Sequence, residues 1–244
     1  NMYSWLLFSK EHTSFSFKLS NKNKLFLIQN IGKDFDINKN QLKEIFSFAD
    51  SIKTSKPFFS MFDPKTVDVN FKSNFDYTIL VLVLLKNIDS KFIYEFGFNQ
   101  GRLPLLLGKY QKHEEEIDFL YYGIDSNKRK GGLYQSQKSL DKDNINLFFM
   151  DTTDFLKKHF DYDKFCNSIL LSSTHEKNSE DSLFNFLLES NTTPKIIISD
   201  NIDEDSAYQK FIKEKNNYSS SIYIFEDDFK NHQPIYIGVS KRLT

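Results

Sequence analysis

The sequence predicts an α/β protein, a three-layer arrangement around a seven-stranded, mostly parallel sheet that ends in an antiparallel β-hairpin, with an N-terminal α+β extension. Three observations predict it. Seven strand-sized apolar runs follow one another after Lys91, helix-sized segments separate the first five, and only Glu226 to Pro234 separates the last two. Strands alternating with helices need right-handed crossovers and therefore lie parallel. The final link is shorter than the roughly a dozen residues a crossover takes, so the last two strands pair antiparallel.

The elements follow in chain order. Asn1 to Lys10 has a short apolar patch around Trp5 to Phe8 but no basic lead and no small-residue cleavage site, so no export signal is read there. Ser14 to Leu19 and Lys24 to Gln29 read as short strands. Asn38 to Ile52 reads as a helix, because Leu42, Ile45, Phe46 and Ala49 recur at helical spacing behind the candidate caps Asp36 and Asn38. Pro57 and Pro64 make Phe58 to Val69 irregular, and Asp76 to Ile88 reads as a buried helix. The strands are Phe92 to Phe96, Leu120 to Ile124, Ile145 to Met150, Ser168 to Ser172, Lys195 to Ser199, Ser221 to Phe225 and Ile235 to Ser240. Leu103 to Lys112, Thr153 to His159 and Asp181 to Glu189 supply helices between them. The domain division is 1–75 as an extension or cap and 76–244 as the ligand-binding domain.

Composition supports a packed domain: hydrophobic residues make up 39% and charged residues 27%, ordinary for a globular chain. The net charge of −1 provides no long-range field to gather nucleic acid or an anionic membrane, so a nucleic-acid partner is unsupported. The longest apolar run, Ile79 to Leu85, is far below the roughly 18 to 20 residues of a membrane span. The one cysteine, Cys166, cannot form an internal disulfide and reads as a small core residue in a reducing compartment. A cytoplasmic protein is expected.

In open parallel sheets ligands bind beyond the carboxyl ends of the strands. The first strand leads into Tyr94-Glu95-Phe96-Gly97-Phe98-Asn99-Gln100-Gly101-Arg102. Gly97 and Gly101 permit a tight turn and close backbone approach to a ligand, with Asn99 between them. Glu95 places a carboxylate at the strand end, which suits a cationic ligand such as S-adenosylmethionine and repels the pyrophosphate of a dinucleotide. The second strand ends in Asp125-Ser126, where an acid can accept hydrogen bonds from two ribose hydroxyls. The third ends in Asp151-Thr152, the fourth runs on through Ser173, Thr174, His175, Glu176 and Lys177, and the fifth ends in Asp200-Asn201.

An acid and spaced glycines after the first strand, with acids ending the second and third, resemble the class I S-adenosylmethionine-dependent methyltransferases, whose sheet is Rossmann-like. The resemblance spans about Asp76 to the C-terminus, and the frequent three-glycine loop is reduced here to two glycines. It implies S-adenosylmethionine as cofactor, with Glu95, Gly97, Asn99, Gly101, Asp125, Ser126, Asp151 and Thr152 around it and Asp151 on the adenine amino group. It also implies that the segment after the fourth strand faces the transferable methyl, making His175 the candidate general base, with Lys177 able to orient the acceptor. The Asp200-Asn201 pair looks like the one that catechol-type O-methyltransferases use for magnesium, although Thr174 stands where that family has a further aspartate. The expected reaction is methylation of a hydroxyl on a small molecule or sugar, with a homodimer left open. Two alternatives compete: a methyltransferase-like chain without activity that binds a nucleoside or a partner protein, and an NAD-dependent oxidoreductase, which should carry a third glycine where Arg102 and Leu103 stand.

Overall fold

The computed structural model describes residues 21–51, 75–88, 90–98, 101–114, 118–126, 144–173, 177–200, 202–225 and 235–243. Its contacts divide the chain into two compact units: Asn1–Asn87 with Glu226–His232, and Ile88–Phe225 with Gln233–Thr244.

In the first unit, α1 (Asn21–Phe26) continues through a π-helical turn, Leu27–Ile31, and a last helical stretch, Gly32–Asp34. The strand expected at Lys24 to Gln29 is therefore helical. Its contiguous apolar run fits either period, but the buried positions Asn23, Leu27 and Ile31 lie four apart, which selects the helix. α2 (Lys39–Ser51) buries Leu42, Ile45, Phe46 and Ala49, as their spacing predicts. Asn38 caps it: its Oδ1 accepts the Asn40 N–H at 2.8 Å, while the Gln41 Oε1 accepts the Asn38 N–H at 3.3 Å. This reciprocal pair satisfies two otherwise orphaned donors at the helix start. α3 (Phe75–Asn87) buries Ile79 through Leu84 completely. The expectations at Ser14 to Leu19 and Phe58 to Val69 lie outside the described residues.

The second unit holds the sheet. Its strands are β1 (Phe92–Phe96), β2 (Leu120–Ile124), β3 (Ile145–Phe148), β4 (Ser168–Ser172), β5 (Ile196–Ser199), β6 (Tyr218–Phe225) and β7 (Ile235–Arg242). The helices are α4 (Arg102–His113), α5 (Thr152–His159), α6 (Tyr162–Cys166), α7 (Lys177–Glu189) and α8 (Ala207–Lys215). The strands lie in the order β3-β2-β1-β4-β5-β7-β6. β1 to β5 run parallel, while β7 is antiparallel to both β5 and β6. The order reverses at β1, flanked by β2 and β4, so the crevice for a ligand opens beyond the carboxyl ends of these strands.

Alternate residues of each strand face opposite sides of the sheet. On one side Tyr94, Phe96, Ile124, Leu170 and Ile197 pack with Phe155, Phe165, Leu183, Phe184 and Phe211. Tyr94 is stacked between Tyr122 at 4.7 Å and Phe165 at 4.0 Å. Each such side chain contributes roughly 1.5 to 3 kcal/mol when fully buried. Glu95 belongs to the other face. Among the described residues, two helices of this unit lie outside the sequence expectations: α6, which is one short turn and a half, and α8, which Ser206 caps by accepting the Gln209 N–H at 3.3 Å. Cys166, expected in the core, is half-buried because it ends α6. No helix among the described residues is long and apolar enough to cross a membrane.

Candidate functional site

Backbone hydrogen bonds fasten the carboxyl edge of the sheet into one rim. Gly97 N–H donates to Ile124 O at 2.8 Å, Asp125 N–H to Phe148 O at 3.0 Å and Ser173 N–H to Phe96 O at 3.0 Å. The Ser173 hydroxyl reaches both Phe96 O at 3.2 Å and Gly97 O at 3.1 Å, tying the end of β4 to the loop after β1. Gly97 has φ 89° and Gly101 φ 78°. Both values fall in the left-handed region, which a side chain would strain. Gly101 starts α4, whose first turn closes with Leu105 N–H on Gly101 O at 3.2 Å. The chain thus turns through glycine-favoured backbone both at the end of β1 and at the start of α4. Phe98 is buried and meets Phe149 edge-on at 5.7 Å, joining the loops after β1 and β3.

Glu95 sits 5% exposed at the end of β1, and Asp125 sits 6% exposed just beyond β2. The Tyr121 hydroxyl donates a short hydrogen bond to Glu95 Oε2. Burial pushes the Glu95 carboxyl up to about 8; the Tyr121 hydrogen bond pulls it back, and the charges of Asp125 and then Asp200 push it up again. The acids beyond β2 and β5 therefore act on Glu95 across the rim. A cation placed there relieves both the burial of Glu95 and its repulsion by its neighbours. An anionic pyrophosphate at the same loop would meet the opposite field.

Of the other expected residues, Ser126 is exposed beside Asp125, and Thr152 is buried in the first turn of α5. Asp151 caps α5, its Oδ1 accepting the Asp154 N–H at 2.8 Å. Asn99, His175 and Asn201 lie outside the described residues, as does Thr174, so only Asp200 of the expected magnesium pair is described. Among the described residues no group of three His, Cys, Asp or Glu side chains is arranged to hold a metal. Sequence reasoning missed Tyr121, Gly123 and Ser173. A signal was available for the first two, since a glycine in mid-strand marks a close approach.

Sheet order and the antiparallel last strand together define a seven-stranded Rossmann-like α/β fold. No protein-family model matches the chain, and no curated protein sequence does. Solved structures do match. An rRNA methylase from Streptococcus thermophilus is 10% identical at TM-score 0.43, over 64% of this chain and 89% of that one. A protein from Streptococcus mutans assigned as a methyltransferase and bound to SAH is 11% identical at TM-score 0.47, over 67% and 96%. One from Pyrococcus horikoshii assigned as an RNA methyltransferase is 10% identical at TM-score 0.45, over 69% and 83%. The expected small-molecule or sugar acceptor, with nucleic acid unsupported, finds no counterpart among these matches, which include RNA methylases. Net charge, on which that expectation leaned, sums over the whole surface and does not report a local face.

Proposed function

We propose that the chain binds S-adenosylmethionine on the rim around β1 and transfers its methyl group. The observation that supports this most directly is the buried pair Glu95 and Asp125 flanking the Gly97 turn at the point where the strand order reverses. In this reading Glu95 would receive the donor's ammonium, Asp125 would accept from its ribose hydroxyls, and Asp151 with the Phe98–Phe149 pair would bound its adenine. The acceptor's lone pair forms a bond to the methyl carbon as the carbon–sulfur bond breaks, and its electrons return to sulfur. The protein's own contribution is to hold donor and acceptor in line and to take the acceptor's proton. His175, in the segment after β4, is the proposed base.

Titration calorimetry with S-adenosylmethionine, SAH and NAD tests the donor. Binding of both adenosyl compounds and not of NAD is expected, and Asp125→Ala should weaken donor binding about a hundredfold, the loss of two hydrogen bonds to a charged acceptor. Folded protein that ignores both compounds would dispose of the proposal. Methyl transfer is assayed with labelled donor and RNA as acceptor. His175→Ala should lower turnover by roughly a hundredfold while leaving donor affinity in place; unchanged turnover removes His175 from the mechanism.

A further inference from the structure

The face of the sheet that carries Glu95 also carries Tyr121 and Gly123. In the β1–β2 register Glu95 stands opposite Gly123, and Tyr121 is two residues earlier on the same strand, hence on the same face. Gly123 has no room for a side chain: a Cβ would lie 2.9 Å from the Tyr121 ring, 2.9 Å from its hydroxyl and 2.9 Å from Leu147 Cδ2. The space that a larger residue would fill is taken by the tyrosine, whose ring leans across the glycine so that its hydroxyl reaches Glu95 Oε2. Tyr121 is fully buried, so its ring has little freedom to leave.

We propose that Tyr121 is a positioning residue for the methyl donor: its hydroxyl holds the Glu95 carboxylate in the orientation that receives the donor's ammonium, and Gly123 is the space that lets it do so. The inference rests on the donor reading above and adds to it residues that touch no ligand themselves. A buried carboxylate must be stabilised in its ionised form to receive a cation, and a hydrogen bond to the charged form does this. Without the hydroxyl, binding has to remove a proton from a more reluctant carboxyl. Among the described residues, the titratable groups that act on Glu95 are Tyr121 on β2, Asp125 beyond β2 and Asp200 beyond β5. The last two repel its charge, which leaves the Tyr121 hydroxyl as the one of the three that favours it.

The test is calorimetric titration of S-adenosylmethionine into the full chain between about pH 6 and 9, for wild type, Tyr121→Phe and Gly123→Ala. Phenylalanine keeps the buried ring and removes only the hydroxyl. Tyr121→Phe should weaken donor binding about tenfold at neutral pH, and the midpoint of its affinity-against-pH curve should move up by about one unit, so that part of the loss returns in alkali. A role in packing alone would lower affinity equally at every pH. Gly123→Ala should reproduce the shift, and should add less than about twofold to Tyr121→Phe because both act through one hydrogen bond. If Gly123→Ala fails to fold, carbon NMR titration of Glu95 in wild type and Tyr121→Phe supplies the second readout, with the Glu95 midpoint higher in the variant. An unmoved midpoint in Tyr121→Phe overturns the proposal while leaving the donor reading intact. Absence of donor binding to folded wild-type protein overturns both.

Discussion

Glu95 shows how one residue type takes its meaning from its surroundings. Placed in water it would be an ordinary carboxylate; at the buried end of β1 it holds its proton up to about pH 8, against 4.5 ordinarily. Between those values the native state binds more protons than the unfolded chain, so stability falls as pH rises. The stability that comes with a protonated Glu95 is fully present below pH 4.5 and is lost as pH passes about 8. Its size is on the order of a few kcal/mol. Glu95→Gln keeps an acceptor oxygen for Tyr121 and removes the titration. Urea melts at about pH 5, 7 and 9 should therefore show wild-type stability declining more steeply than the variant's, and parallel declines would count against a neutral buried carboxyl. That Glu95 lies near the end of a strand was legible in the apolar run Phe92 to Phe96. That it shares its surroundings with Tyr121, which lies 26 positions on, was not.

At the scale of elements, strand and helix positions were read closely wherever period and length agreed. β1, β2 and β4 fall on the residues expected from their apolar runs. The misread stretch Lys24 to Gln29 has contiguous apolar residues, which carry no period, and α8 was passed over because its buried residues Ala207, Tyr208 and Phe211 cover barely one turn and a half. Asp151 bears on both an element and the proposed site. As the cap of α5 it satisfies an orphan N–H, so Asp151→Ala should cost about 1 kcal/mol of stability. Asp151→Asn keeps a capping oxygen and replaces the other acceptor with a donor. If Asp151 also receives the adenine amino group, Asp151→Asn should retain wild-type stability in urea melts and bind S-adenosylmethionine several-fold more weakly; equal affinity would leave Asp151 as a cap alone.

At the scale of the molecule, local pattern and long-range pairing divide the explanation. The order of residues along the chain carries the class of fold, because hydrophobic period and segment length are local properties and a link as short as Glu226 to Pro234 allows only antiparallel neighbours. It also determined where a site must be sought, since acids and glycines at strand ends gather wherever parallel strands share their carboxyl edge. The insertion of β7 between β5 and β6, the tie from Ser173 on β4's end to the turn at Gly97, and the seating of a tyrosine over a glycine of its own strand arise only in the folded sheet. The physical reason is that these depend on strand order and on which face each side chain takes once the sheet has formed. Packing sets both, and a run of residues read one after another contains neither.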